Sequence, residues 1–317
     1  MHYRFYTVDV FTKRIFGGNP LAVFPEAQGL ETAQMQQVAR ELSLSETVFV
    51  LPPETSEGGH RLRIFTPGTE LPFAGHPTIG TAYLLAAIGK VPLVGDVTTV
   101  IFEEGVGTIP VSIHSVNNQP NFAQFAAAKL PEFGPEPPPK TDLAALLSLQ
   151  PSDLHAGRWI PQAVSCGVPF LFIPVRDRAA LAKAQVDLTQ WKALLANYWA
   201  PHLYLFTPDS GSEGSDFYAR MFAPAMGIQE DPATGAAVTA LAGYLIIRET
   251  TATGSFRWVI EQGVEMGRPS LLELEADKQD NKLTAIRVGG HSVRVSQGEM
   301  MIPANQTTEA PWLNQSA

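Results

Sequence analysis

Cysteine is almost absent from this sequence, since Cys166 is the single example among 317 residues. One thiol cannot form an internal disulfide, so a disulfide framework is excluded and a reducing cytoplasm is the expected compartment. An isolated cysteine often behaves as a small apolar residue, and we expect Cys166 to be buried in that role.

Long hydrophobic runs and an excess of positive charge are also absent. Residues 3–10 alternate between apolar and polar, unlike a signal peptide, and no apolar run approaches the roughly 20 residues of a membrane span. The net charge of −9 argues against nucleic acid or an anionic membrane as the main partner. The seven histidines are scattered, so we expect no metal site. The sequence also has no dinucleotide fingerprint, phosphate loop or nucleophile elbow.

The most informative stretch runs from Glu70 to Ile88. Its second part is apolar on every side, which predicts a buried helix. Pro77 is expected at the first helical position, and His76 before it could simply cap the helix. The unpaired N–H groups at the start of such a helix form a site for an anion or a carboxylate.

This stretch has a second copy later in the chain. The segment Arg63-Ile-Phe-Thr-Pro67 matches Arg220-Met-Phe-Ala-Pro224, and His76 to Ala82 matches Asp231 to Ala237. We interpret the matches as a duplication, because they follow the same order at a nearly constant offset. The fold class we expect is therefore α+β, with two pseudo-symmetric domains that each wrap strands around one central apolar helix. A pseudo-two-fold axis would bring both helix starts toward one cleft, a favoured place for a small-molecule site.

The expected domains are residues 1–118 and 119–291, followed by a polar tail at 304–317. A C-terminal strand near 292–302 is a candidate to complete the first domain. Other helices are predicted at 32–42 and 187–197 from their apolar spacing.

Several motifs resemble the phenazine-biosynthesis isomerase-like family, which has the diaminopimelate epimerase-like fold. They are Gly18-Asn-Pro20, Leu44-Ser-Glu-Thr47, Glu70-Leu-Pro-Phe-Ala-Gly-His-Pro77, Arg220-Met-Phe222 and Glu230-Asp-Pro-Ala-Thr-Gly235. The resemblance spans residue 1 to about residue 300. It implies two similar domains, each a mixed, barrel-like sheet around a helix, with the active site between them. It also implies a homodimer and no cofactor.

Three residues are the candidates for catalysis. Glu46 could be an ordinary solvated carboxylate, but it precedes a strongly β-forming run, so partial burial would raise its pKa toward the range useful for proton transfer. It is similar to the family's carboxylate that moves a proton between substrate carbons. His76 and Asp231 could be helix caps, and for Asp231 before a proline that is a good alternative. The resemblance places both in the cleft, where they would contact substrate or relay protons.

Four further residues are candidates for substrate binding: Asn19, Gly75, Gly235 and Ala236. The two glycines would let a substrate approach backbone amides. Ala236 is a departure, because the family's isomerase prototype has a serine after Asp-Pro-Ala-Thr-Gly. The missing hydroxyl leaves the general mechanism intact and leaves the exact substrate open.

The sequence therefore predicts a cofactor-independent isomerase that moves a proton within a small carboxylate-bearing metabolite. The resemblance suggests a cyclic hydroxy amino acid related to anthranilate. Two alternatives stay open: a non-catalytic small-molecule or partner-binding protein of this fold, and a lyase or epimerase acting on another carboxylate. A cysteine-pair epimerase would need two opposed thiols, and Cys166 is alone.

Overall fold

The computed structural model describes residues 1–56, 59–209 and 214–303. The predicted polar tail at 304–317 lies outside these residues. The described chain is dominated by strands, with few helices, which confirms the expected α+β class. Among these residues, no helix combines the length and the hydropathy needed to cross a lipid bilayer.

Among its described residues, the first half of the chain holds two helices and eight strands. In order they are β1 (His2–Val10), β2 (Asn19–Phe24), α1 (Thr32–Leu42), β3 (Glu46–Leu51), β4 (His60–Phe65), β5 (Glu70–Leu71), α2 (Gly75–Ala87), β6 (Val97–Glu104), β7 (Gly107–Val116) and β8 (Gln119–Ala126).

The second half holds four helices and ten strands within the described residues. In order they are β9 (Glu132–Phe133), α3 (Lys140–Leu146), β10 (Gln162–Ser165), β11 (Pro169–Pro174), α4 (Arg178–Lys183), α5 (Leu188–Leu194), β12 (His202–Thr207), β13 (Phe217–Ala223), β14 (Ile228–Asp231), α6 (Gly235–Ile246), β15 (Gly254–Gln262), β16 (Ser270–Gln279), β17 (Lys282–Gly290) and β18 (Ser292–Met301). Short 3₁₀ turns lie at Pro151–Asp153 and Pro224–Met226.

Two helices, α2 and α6, form the centre of the two halves. Nearly every residue of each helix is buried, because neither helix has a polar face to turn toward water. Strands β1, β2, β3, β7 and β8 pack on α2, whereas β10, β11, β16 and β17 pack on α6. The apolar sequence of each helix thus accounts for its place inside a wrap of strands.

The sheet pairings repeat between the halves. In the first half β2–β3 is parallel, β3–β4 is antiparallel and β4–β6 is parallel. In the second half β11–β12, β12–β13 and β13–β15 follow the same sequence of directions. The two halves are therefore pseudo-symmetric.

Matching ion pairs fix how the repeats align. Arg63 holds Glu70 through two hydrogen bonds of 2.7 and 2.6 Å, and Arg220 holds Glu230 through two of 2.8 Å. Each glutamate begins the same pattern, Glu-x-Pro-x-x-Gly, and each central helix begins at the glycine of that pattern.

The predicted match of His76 with Asp231 is therefore wrong. Counted from the helix-starting glycines, His76 corresponds to Ala236 and Asp231 corresponds to Leu71. Two expectations about the helix starts are also wrong. Pro77 is the third residue of α2 rather than the first, so His76 lies inside the helix and is not its cap. Asp231 ends β14, and Thr234 is the residue before α6.

Contacts also cross between the halves. β18 runs antiparallel to β1 from Ser292 opposite Val10 to Met301 opposite His2, and β8 pairs with β17. β8 packs on α2 although it begins at residue 119. The boundary at 118/119 stays a prediction. The helix expected over 187–197 is shorter, since α5 ends at Leu194.

Candidate active site

The starts of α2 and α6 meet between the two halves. A methyl group built on Gly75 would lie 3.5 Å from the Cα of Gly235, and the reverse distance is also 3.5 Å. The residues before the helices, Ala74 and Thr234, make no side-chain cap to the first turn. The N-terminal dipoles of both helices therefore point at one place, which favours a negative charge there.

Glu46 and His76 form a close pair at this place. Glu46 begins β3 and its Oε2 lies 3.3 Å from Nε2 of His76, with side chains only 13% and 6% exposed. Neither atom has a hydrogen-bond partner among the residues that the structure describes, so the 3.3 Å contact is a close approach and not a hydrogen bond. Two buried polar atoms without partners carry an energetic cost, and a ligand between the halves would satisfy them.

The charges of this pair follow from burial. Desolvation by burial raises the pKa of Glu46 to about 8, and the negative charge of Asp231 adds to the increase. Burial lowers the pKa of His76 to about 3. At neutral pH the pair is therefore a carboxylic acid beside a neutral imidazole, and we do not regard the 3.3 Å contact as an ion pair.

Asp231 is the second carboxyl group at the site and comes from the other half. Its Oδ1 accepts a hydrogen bond of 2.9 Å from Asn19, and its Oδ2 accepts one of 2.5 Å from Thr234. Burial raises the pKa of Asp231 to about 6, and these two hydrogen bonds act in the opposite direction. Asp231 is thus ionised at a pH where Glu46 still keeps its proton.

Asn19 connects the two halves at this point. It lies at the start of β2, fully buried, and its amide also donates 3.0 Å to the backbone oxygen of Ala233. Its own oxygen, Oδ1, is a further buried atom without a hydrogen-bond partner in the described chain. Asn19 therefore both holds Asp231 and offers an acceptor to a ligand.

The structure gathers most of the residues selected from the sequence. Glu46, His76, Asp231 and Asn19 join the two glycines at the meeting of the helix starts; Ala236 follows Gly235 as the second residue of α6 and is half-buried. Ala236 occupies the position in α6 that His76 occupies in α2, so the two helix starts are not chemically equivalent. One half supplies an imidazole there, and the other half supplies a methyl group.

Cys166 contributes nothing to this arrangement. Its Sγ lies 3.7 Å from the backbone oxygen of Thr239, and burial raises its pKa to about 12, so it is a poor nucleophile. The described ranges contain no cluster of histidine, cysteine and carboxylate side chains suited to a metal ion.

The sequence analysis missed the residues that support the helix starts. Gln262 donates to the backbone oxygen of Asp231 and to Thr234 Oγ1, and it accepts from the hydroxyl of Tyr204. Glu104 contacts Thr78 in the first half. A signal was available, because Glu104 and Gln262 are each followed by a glycine and lie 29 and 27 residues after the glycine that begins their half's helix.

Comparisons with known proteins identify the family of this chain. A model of the family described as phenazine biosynthesis-like protein (PhzC-PhzF) matches residues 8–298. The chain is 40% identical to an uncharacterized isomerase of Mesorhizobium japonicum over 300 residues, which cover 93% of this chain and 97% of the relative. It is 33% identical to the trans-2,3-dihydro-3-hydroxyanthranilate isomerase of Pseudomonas aeruginosa over 301 residues, which cover 94% and 99%.

Solved structures show the same relationship. A PhzF-family protein of Bacillus anthracis superposes with a TM-score of 0.85 at 25% identity and covers 95% of this chain and 100% of that chain. A hydroxyproline epimerase of Agrobacterium vitis superposes with a TM-score of 0.60 at 12% identity, covering 94% and 92%, and this likeness shows the fold alone.

The fold is thus that of the diaminopimelate epimerase-like proteins, and the chain is an isomerase. It belongs to the phenazine biosynthesis-like (PhzC-PhzF) family.

Proposed function

We propose that this chain isomerises a small carboxylate-bearing metabolite by moving a proton from one carbon to another without a cofactor. The supporting observation is the Glu46–His76 pair at the meeting of two helix starts, whose facing atoms are buried and lack a hydrogen-bond partner in the described part of the chain. The substrate we propose is trans-2,3-dihydro-3-hydroxyanthranilate or a close analogue, since relatives at 33% identity carry that isomerase name.

The substrate carboxylate would bind at the helix starts. Backbone N–H groups of the first turns of α2 and α6 converge there, and helix dipoles stabilise an anion without a cationic side chain. Gly75 and Gly235 add no side chain of their own here, where the rings of Phe125 and Phe11 already lie 3.4 and 3.6 Å from the place of a methyl group. The bound negative charge would raise the pKa of the adjacent His76 from its low value in the free protein.

Proton transfer would then use Glu46 twice. When His76 Nε2 takes the Glu46 proton across 3.3 Å, Glu46 becomes a carboxylate beside an imidazolium. The Glu46 carboxylate removes a proton from a substrate C–H, leaving a delocalised anion, and returns that proton to another carbon. His76 gives its proton back at the end, so the protein is unchanged. Asp231, held by Asn19, would hydrogen-bond to the substrate's polar groups.

General acid–base catalysis by one positioned group contributes roughly 10²–10⁴-fold in rate. The rest of the rate enhancement would come from holding the substrate in position between two halves that exclude water. A homodimer in the cytoplasm is the setting we propose with this activity.

Deuterium incorporation tests the proposal. The chain is incubated in heavy water with trans-2,3-dihydro-3-hydroxyanthranilate and with other small carboxylates, and wild type is compared with Glu46→Gln. The exposed Glu41→Gln is the matched control. We expect isomerisation with partial deuterium uptake in wild type and in Glu41→Gln, and loss of both in Glu46→Gln. If carboxylates bind but neither wild type nor any variant incorporates deuterium into them, the non-catalytic alternative replaces this proposal. If Glu46→Gln exchanges normally, Glu46 is not the proton carrier.

A further inference from the structure

A third buried carboxyl group lies near the site but on another side of α2. Glu104 is the last residue of β6 and is 8% exposed. Its Oε1 lies 2.6 Å from Oγ1 of Thr78, the fourth residue of α2. Its Oε2 is buried and has no hydrogen-bond partner among the residues described. The proton transfer above does not use this group.

Counting hydrogens assigns a proton to Glu104. The hydroxyl of Thr78 lies 2.6 Å from Glu104 and also 2.8 Å from the backbone oxygen of Ala74. A hydroxyl has one hydrogen to donate, and neither a carbonyl nor an ionised carboxylate can supply another. Both short contacts are hydrogen bonds only when Glu104 is protonated and donates to Thr78, which then donates to Ala74.

The second half supports this assignment independently. Gln262, the last residue of β15, occupies the matching place and donates 3.0 Å to the hydroxyl of Thr234 at the start of α6. An amide carries no charge and has N–H groups to donate. The pseudo-symmetric position is thus filled by a neutral donor, whose threonine partner precedes the helix instead of lying in its first turn.

The glycines that follow these two residues confirm that the places match. A methyl group on Gly105 would lie 2.8 Å from the Cα of Pro72, and one on Gly263 would lie 2.9 Å from the Cα of Pro232. Both prolines belong to the Glu-x-Pro-x-x-Gly pattern that precedes each central helix. In each half, the residue after the end of β6 or β15 therefore packs closely against the segment that precedes the central helix.

Burial gives the physical reason for a neutral carboxyl group. Desolvation raises the pKa of Glu104 to about 8, even when Thr78 is counted as a donor to an ionised carboxylate, which would lower the pKa. A protonated Glu104 also avoids placing a buried negative charge beside α2.

We propose that Glu104 is a positioning residue: held as a neutral carboxylic acid, it donates to Thr78 and so fixes the first turn of α2, which carries Gly75 and His76. This inference rests on the proposed function for its effect on catalysis. Through Thr78 and the Ala74 oxygen, Glu104 sets the direction of the helix start at which the substrate carboxylate would bind. It does not itself reach the reacting atoms.

The kinetic test compares an amide with an apolar residue. Glu104→Gln copies the residue of the second half, so we expect kcat and KM within about threefold of wild type. Glu104→Leu removes the donor, and we expect kcat to fall about 10–100-fold, since small misplacements have effects of this size. Thr78→Val should match Glu104→Leu, and the double variant should be no worse than either single one. The recovery by Gln separates positioning from general loss of folding.

Carboxyl NMR gives a second test that needs no substrate and no activity. In protein labelled with ¹³C at the glutamate carboxyl carbons, we expect one resonance that is still protonated at pH 7 and disappears in Glu104→Gln. Glu46→Gln identifies the corresponding resonance of Glu46. A Glu104 resonance that titrates near the ordinary value of about 4.3 overturns the inference. So does a Glu104→Gln variant as inactive as Glu46→Gln, because Glu104 would then be a catalytic carboxylate. The proposed function can fail while the NMR result stands.

Discussion

Gly75 and Gly235 face each other where the two central helices begin, so closely that a methyl group on either would be in van der Waals contact with the other's Cα. Glycine at both positions therefore lets the two helix starts approach each other closely. The two halves contact each other through their helix starts. The Glu46–His76 pair and the Asn19–Asp231 pair lie beside this contact and not between the two glycines.

The first prediction concerns the space between these glycines. Gly235→Ala places a methyl group 3.5 Å from Gly75, a distance that needs no backbone shift. We expect the melting temperature to change little, but KM for the carboxylate substrate to rise at least about tenfold, because the methyl group covers the anion site. Steady-state kinetics checks this. Gly68→Ala is the control, since a methyl group there meets only the Thr66 hydroxyl at 3.9 Å. An unchanged KM for Gly235→Ala would place the carboxylate elsewhere.

The second prediction concerns pH. The two site carboxyl groups have pKa values of about 6 for Asp231 and about 8 for Glu46 in the free protein. The form with one proton is therefore most populated between these values, and kcat/KM should be bell-shaped with limbs near them. In Asn19→Ala the carboxylate of Asp231 loses a hydrogen bond that lowers its pKa, so the acidic limb should move to higher pH. An acidic limb that stays in place in Asn19→Ala would show that it does not report Asp231.

Sequence reasoning succeeded where the physics is local. The helix α1 was predicted with the bounds Thr32–Leu42 that the structure has, because its apolar spacing alone specifies one buried face. The all-apolar pattern of α2 likewise predicted burial. Glu46 was selected by resemblance, and its contact with His76 became visible only in three dimensions.

Sequence reasoning failed where the alignment of the two repeats depended on contacts between distant residues. The match of His76-Pro with Asp231-Pro looked convincing, but it is a chance agreement of Pro and Gly spacing. The ion pairs of Arg63 and Arg220 reveal the true alignment. Glu104 was missed because a glutamate beside a Gly turn normally faces water, and its burial results from packing against a helix that precedes it in the chain.

The third prediction concerns the chemical difference between the two helix starts, which have His76 in α2 and Ala236 in α6. Ala236→Ser restores a hydroxyl at the position where the family's isomerase prototype has serine. Because the side chain is half-buried beside the proposed anion site, the hydroxyl can donate to a substrate without a buried, unpaired group in the free enzyme. We expect kcat/KM for trans-2,3-dihydro-3-hydroxyanthranilate to increase about 3–30-fold, the value of one hydrogen bond. Ala236→Val, which adds bulk without a hydroxyl, is the control and should not increase it. Equal values for the two variants would contradict a polar contact here.

The fourth prediction concerns stability, and its sign follows from three shifted groups. Glu46 and Glu104 have native pKa values of about 8, well above the unfolded value of about 4.3. Between these values the native state binds more protons than the unfolded state, so stability falls as pH rises until both states are ionised above pH 8. His76, with a native pKa of about 3, acts in the opposite direction, but only below its unfolded value of about 6.5.

From pH 6.5 to 8 the two glutamates should therefore dominate, each reducing the free energy of unfolding by at most about 1.4 kcal/mol per pH unit. Glu46→Gln and Glu104→Gln should each remove one of these contributions and flatten the decline. Urea unfolding at half-unit steps of pH measures the slopes, with Glu41→Gln as the exposed control that should follow wild type. Parallel slopes for all four proteins would mean that both carboxyl groups are already ionised in the native state. That result would remove the physical basis for Glu46 as a proton-carrying acid and for Glu104 as a neutral donor to Thr78.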